Sequence, residues 1–146
     1  MQILRIPPED IGTIKSLWEA LNEHHRDRST HFKSHFERFT FEQRLDLLRH
    51  KDAFTVFVAM EDAVPVGYCI VSVNGETGEI DSIYVSPHHQ RQGVGHALMT
   101  KAETFLDARG VRRVIVSVAE GNETAFGFYE TRGFRHRMTV FEKAAT

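Results

Sequence analysis

Cysteine is nearly absent: Cys69 is the only one in 146 residues. A lone thiol cannot close an intrachain disulfide or build a cysteine-rich zinc module, and such usage fits a reducing compartment. Charge of one sign is missing too. Lys and Arg number 18 against 20 Asp and Glu, a formal net charge of -2, so no basic field draws the chain to nucleic acid or anionic lipid. No apolar run approaches the ~20 residues of a membrane span. The opening MQILRIPPEDIG lacks a basic region followed by an apolar core and cleavage site. There is no internal repeat, low-complexity tract or linker. The expectation is one cytoplasmic domain, residues 1–146, with neither nucleic acid nor membrane as partner.

What is present is a mixed pattern of helix and strand. Residues 2–6 alternate as a short strand, and Ile11, Ile14, Leu17, Trp18 and Leu21 recur at helical spacing. NEHHRDRS reads as a turn before a second helical region carrying Phe32, Phe36 and Phe39. Thr40 and Gln43 have the spacing of a capping box, which starts a further helix bearing Leu45, Leu47 and Leu48. From Phe54 the period changes. FTVFVAM, VPVGYCIVSV and EIDSIYV are rich in β-branched and aromatic residues and read as three meandering strands. A helix through Ala97, Leu98, Ala102, Phe105 and Leu106 ends at Gly110, then RRVIVSV reads as a strand. NETAFGFYETRG reads as a helix, and FRHRMTVFEK is β-like.

The stretch VSPHHQRQGVGHALM places Gly93 and Gly95 between a strand and a helix. Unpaired N–H groups at a helix start attract anions, and glycine lets a phosphate approach them. Two familiar phosphate motifs fail here. Gly95 is followed by His96 and Ala97 rather than Lys and Ser or Thr, and Leu98 stands where a dinucleotide fingerprint needs a third small residue. The pattern that survives is Gln90-x-x-Gly93-x-Gly95, preceded by DSIYVSP.

This pattern resembles the first motif of the GNAT superfamily of acyl-CoA-dependent N-acetyltransferases, and NETAFGFYETRGF resembles its second signature. The resemblance implies an α+β fold with a central, mostly antiparallel twisted sheet of about six to seven strands, flanked by helices and splayed at a cofactor slot. It implies acetyl-CoA as co-substrate, with Gln90, Arg91, Gln92, Gly93, Val94, Gly95 and His96 cradling its pyrophosphate. Ile83, Tyr84, Val85 and Phe128 would line the slot, and Asn122 would bond the pantetheine arm unless it caps the following helix. The Val85 amide would meet the thioester carbonyl, at a bulge that opens the slot.

Acyl transfer to an amine needs a proton acceptor, because an alkyl ammonium with pKa near ~10.4 is protonated at neutral pH. Alternation puts Glu79, Asp81, Ile83 and Val85 on one face of their strand, with Ile80, Ser82 and Tyr84 on the other. Glu79 and Asp81 each fall where members of the family carry a base, and the sequence does not choose between them. Ser117 stands at a third such position and is no carboxylate. Tyr129 is the resemblance's acid for the departing thiolate. The activity implied is direct transfer to an amine of a small molecule, protein or peptide in a ternary complex; the alternative is an acyl-CoA-binding sensor without efficient turnover.

Other residues carry less. Cys69 reads as a buried strand thiol. His31 and His35 have helical metal-ligand spacing without the accompanying Glu, and no metal is expected. Glu19, Glu23 and Asp27 could receive a cationic amine or coat a helix. The short stretch after Gly133 leaves one wall of the acceptor groove abbreviated, or supplied by a second subunit in a homodimer.

Overall fold

The computed structural model describes residues 1–145. Five strands form one sheet in the order β1 (Gln2–Ile6), β2 (Ala53–Glu61), β3 (Val64–Asn74), β4 (Thr77–Val85) and β5 (Arg113–Val116). Neighbours are antiparallel except β4 and β5, which are parallel. A parallel pair needs a crossover, and α4 (Val94–Ala108) supplies it. Before β2 lie a 3-10 segment (Pro8–Ile14), α1 (Lys15–Arg28), α2 (Lys33–Arg38) and α3 (Phe41–Arg49); α5 (Phe126–Glu130) follows β5. No helix among the described residues is long and apolar enough to cross a membrane.

Two cores sit on the two faces of the sheet. On one, Phe57, Cys69, Val71 and Ile80 meet Leu98, Met99, Ala102 and Leu106 of α4. On the other, Val56, Val58, Tyr68 and Ile70 meet Ile14, Trp18, Phe41, Leu45 and Leu48 from the helices before β2. Each fully buried aliphatic side chain contributes about 1.5–3 kcal/mol relative to exposure, so both faces hold the sheet in place.

The capping box forms: Thr40 Oγ1 accepts from the Gln43 amide at 3.1 Å, and Gln43 Oε1 from the Thr40 amide at 2.9 Å. NEHHRDRS, by contrast, is helix rather than turn, since α1 continues to Arg28. Arg26 and Arg28 complement the negative end of its dipole, and Arg26 pairs with Glu23 and Asp27. The mixed fold agrees with expectation, but the sheet has five strands rather than six or seven. FRHRMTVFEK forms no strand among the described residues, with Val140 and Phe141 76% and 95% exposed. Strand propensity is realised only against a ladder partner, and this segment pairs with none.

A second departure lies within β4. Val71 pairs with Ile80 and Ile70 with Ser82, so Asp81 is an extra residue in the ladder. Alternation is broken there. Ile80, Ile83 and Val85 join the α4 core while Tyr84 joins the opposite one. Glu79 and Asp81 therefore do not share a face with Ile83 and Val85, as strict alternation required.

Candidate active site

Strands β4 and β5 pair only from Thr77 with Arg113 to Ile80 with Val116, although β4 runs on to Val85. Beyond Ile80 a slot opens. On the β3 side, the Ser86 amide donates to the Val66 carbonyl at 2.8 Å. Hydrogen-bonded pairs alternate in an antiparallel ladder, so the next ones are Tyr68 with Tyr84 and Ile70 with Ser82. The amides of Ile83 and Val85 then face the other way, into the slot. The Val85 carbonyl is taken by Gln90 Nε2 at 2.8 Å, which leaves its N–H as the free polar group. The bulge that accompanies the slot is at Asp81 rather than at Val85.

At the end of β4 the chain enters the glycine loop. Arg91 and Gly93 take positive φ of 64° and 82°, and Gly93 caps α4 without any side-chain hydrogen bond. The first α4 amides, Val94 to His96, therefore keep their donors for a ligand. The Gly93 Cα faces open space. Gly95 differs, because a Cβ there would come within 3.3 Å of the Phe128 ring. This glycine admits an aromatic side chain of α5 against the helix start. The His96 ring also meets Phe128, with centroids 4.6 Å apart. Arg132 completes the clamp, bonding Glu103 at 2.8 Å and Thr100 and His96 at 3.2 Å.

Tyr129 packs edge-on against Phe128 and Phe134 on the α4 side of the sheet. Burial pushes its phenol up to about 12, so it stays protonated and can donate over the whole neutral range. Asn122 precedes the short turn into α5 and makes no capping bond with its side chain, leaving that amide available.

The carboxylates lie on the opposite face. Lys51 Nζ bonds Glu79 Oε1 at 2.9 Å and reaches Asp81 Oδ1 at 3.6 Å. Burial works against the Lys51 charge, but the two carboxylates outweigh it and raise its pKa. The Asp81 side chain is only 3% exposed. Burial, reinforced by Glu79, pushes its carboxyl up to about 6 against the opposing pull of Ser72, Lys51 and Arg44. Glu79 is pinned by its ion pair, whereas Asp81 Oδ2 has no hydrogen-bond partner. No hydrogen bond joins either carboxylate to Tyr129 among the described residues.

Lys51, Ser72 and Arg44 are site neighbours that sequence reasoning missed. Lys51 lies 28 residues from Glu79 in the chain, so only the tertiary fold brings them together. Glu120 is another, bonding Ser29 Oγ at 2.6 Å and the Thr30 amide at 2.8 Å. It ties the segment after α1 to the segment after β5. His89 bonds Ser86 Oγ at 2.9 Å and pairs with Glu61, fastening the start of the glycine loop.

Cys69 is fully buried, which pushes its thiol up and away from reactivity. His35 stacks on Phe39 with centroids 5.6 Å apart, and no group of three or more metal-ligating side chains gathers among the described residues. A cavity of about 400 Å³ lies between α1 and the α2–α3 segment and includes Trp18, Phe36 and Phe39. None of its lining residues belongs to the glycine loop.

Comparison with known proteins places this geometry. Residues 16–134 match the acetyltransferase (GNAT) family. An uncharacterized N-acetyltransferase of Methanocaldococcus jannaschii is 33% identical over 99 residues, which cover 63% of this chain and 43% of that protein. The chain thus spans less than half the length of that relative. A putative acetyl transferase from Pyrococcus furiosus shares the fold with a TM-score of 0.77 at 23% identity, over 99% of this chain and 100% of that one. The PaiA N-acetyltransferase of Thermoplasma acidophilum, solved in complex with coenzyme A, has a TM-score of 0.73 at 19% identity, over 96% and 94% of the two chains. The open helix start, the left-handed Gly93 and the unpaired amides of the slot fit acetyl-CoA as co-substrate. With a match running across most of its length, over a fold built around such a slot, this chain belongs to the GNAT acetyltransferase family.

Proposed function

We propose that the chain transfers the acetyl group of acetyl-CoA to the nitrogen of an amine by direct attack in a ternary complex. When bound, acetyl-CoA supplies an acyl thioester whose carbonyl carbon accepts the nitrogen as the C–S bond breaks. The amides of Val94, Gly95 and His96 hold the pyrophosphate, with Gln90, Arg91, Gln92 and Gly93 shaping the loop. Asn122 bonds the pantetheine arm, and Ile83, Tyr84 and Phe128 line the slot. The Val85 N–H faces the thioester oxygen and stabilises charge developing on it.

Asp81 is the proton acceptor. A carboxyl raised to about 6 is ionised at neutral pH, yet is a stronger base than an ordinary carboxylate. Glu79 is held by Lys51 and serves to raise its neighbour. One ammonium proton goes to Asp81 before attack; Tyr129 gives its proton to the leaving sulfur and takes back the second proton that the nitrogen sheds as the amide forms. The observation that carries this reading is the Asp81 carboxyl, 3% exposed with one oxygen free.

Two measurements test it. Calorimetry with acetyl-CoA, CoA and NAD should show binding of the first two alone. Thiol release over a panel of small amines and peptides should then show transfer by the wild type and its loss in Asp81→Asn. An unchanged rate in that variant removes Asp81 from the mechanism. Coenzyme binding with no acceptor transferred points instead to a sensor.

A further inference from the structure

Arg132, in the turn that follows α5, directs each nitrogen of its guanidinium to a different residue of α4. Nε donates to Glu103 Oε1 at 2.8 Å, Nη2 to Thr100 Oγ1 at 3.2 Å and Nη1 to His96 Nδ1 at 3.2 Å. Residues 96, 100 and 103 form one stripe of the helix, spaced by four and then three. The Arg132 side chain is only 17% exposed, so this contact is largely covered. A lysine ammonium would not replace it, because only a planar fork carries donors in fixed, diverging directions.

The bond to His96 sets more than position. A guanidinium donates and does not accept, so Nδ1 must carry the lone pair of the ring, and the proton of the neutral imidazole sits on Nε2. Phe128 holds the ring as well, with centroids 4.6 Å apart, in the space that Gly95 leaves by lacking a Cβ. Thr100 closes the network: its hydroxyl donates to the His96 carbonyl at 3.0 Å, which turns a lone pair toward Arg132. Glu103 neutralises the guanidinium, so the cluster presents an oriented donor rather than a net cation. That donor is open. The His96 ring is exposed, and its one hydrogen bond among the described residues is through Nδ1. Helical side chains lean toward the N-terminus of their helix, and for His96, the third residue of α4, that direction is the glycine loop.

We infer that Arg132 is a positioning residue for coenzyme binding, holding His96 so that its Nε2–H donates to a pyrophosphate oxygen beside the backbone amides of the loop. Arg132 acts through His96 and does not touch the coenzyme. This inference rests on the cradle assigned under acyl transfer and adds to it a side-chain donor, set by a residue 36 positions further along the chain.

The test measures binding by calorimetry with two ligands: CoA, and dephospho-CoA, which keeps the pyrophosphate and lacks the ribose phosphate. His96→Asn removes the donor at Nε2 and should weaken both ligands by the same factor, about tenfold or more, as expected for a hydrogen bond to a charged group. His96→Gln, whose amide nitrogen falls near the Nε2 position, should recover part of that loss. Arg132→Met should weaken CoA several-fold in the wild type but by under about twofold in the His96→Asn background, because the two residues act as one unit. Nitrogen NMR of the wild-type imidazole should place the proton on Nε2 and show that signal moving when CoA binds.

Affinity unchanged in His96→Asn, or equal loss in His96→Asn and His96→Gln, overturns the inference. A loss confined to CoA does the same, since it moves the contact to the ribose phosphate. If the Arg132 and His96 effects multiply, Arg132 touches the coenzyme or serves packing alone. Each of these results leaves the coenzyme slot in place. Failure of the wild type to bind CoA would instead overturn the reading beneath. The wild-type spectrum decides the matter even if the variants do not fold: a proton on Nδ1, or an Nε2 signal indifferent to CoA, sinks the proposal.

Discussion

The two faces of the sheet are both well packed, yet they are built differently. The α4 face is apolar but for Thr55, whose Oγ1 accepts from Arg5 Nε at 3.0 Å, and it holds Leu98, Met99, Ala102 and Leu106 at zero exposure over Cys69 and Val71. The α1–α3 face buries a comparable aromatic and aliphatic cluster but adds Asp81, Ser72, His25 and Arg44, whose polar atoms are incompletely paired. One face is closely packed beneath the glycine loop, and the other keeps buried polar atoms incompletely paired on the side where Asp81 is proposed to act. Unsatisfied groups collected on one side are what a site costs in stability.

The strongest way to break this contrast is Asp81→Asn. Acetyl transfer should fall about 10²- to 10⁴-fold, the range for loss of a positioned base. In the wild type, kcat/KM should decline as pH falls through about 6, where Asp81 takes up its proton. The same substitution should stabilise the fold above that pH. The folded carboxyl, at about 6 against an unfolded 3.8, binds its proton more tightly than the unfolded chain does, so wild-type stability falls as pH rises between these values. The gain in Asp81→Asn is on the order of 1–3 kcal/mol at neutral pH, from ~1.4 kcal/mol per pKa unit, and urea titrations at pH 4 and pH 8 would measure it.

Leu98→Ala tests the other face and should act in the opposite sense. Removing a fully buried side chain should cost about 2–5 kcal/mol in the same titrations. A loss below ~1 kcal/mol would mean that the α4 face is not the closely packed one. Tyr129→Phe, a smaller change, should lower kcat about ten- to a hundredfold, with acetyl-CoA affinity retained in calorimetry. Equal turnover would reduce Tyr129 to an aromatic packing residue. Smallest is Lys51→Met. Loss of that cation should raise Asp81 further and move the acidic limb of kcat/KM upward by under about one pH unit. A downward shift would assign the limb to another group.

The sequence carried the parts of this fold that depend on local pattern. Thr40 and Gln43 announce a helix start because their spacing is itself the mechanism, and Gly93 and Gly110 mark positions where φ is positive. The glycine loop and Tyr129 were legible through two signatures in the right order. The polar face was not. Hydrophobic periodicity cannot register an extra residue in a ladder, so Asp81 was assigned to the face of Ile83 and Val85. Lys51 and Arg44 carry no motif, and their relation to Asp81 exists only after the helices fold back over β4. The last stretch misled for the reverse reason: Met138, Val140 and Phe141 have strand composition, but pairing depends on a partner outside the segment.

The bulge at Asp81 sets the reading frame of β4 through the candidate site. Before it, β4 directs Glu79 to the side covered by α1–α3; after it, Ile83 and Val85 return to the α4 core. Substitutions at this position change the side chain and leave that frame alone. A one-residue deletion between Ile80 and Ser82 would be another matter. It would restore a regular ladder with Ile83 and Val85 still opposite Cys69 and Gly67 on the α4 face, and would remove only the extra residue and its carboxylate. The irregularity is therefore what seats a carboxylate between two halves of the strand that already share one register, and a transplant of the candidate site into another sheet would have to carry it along.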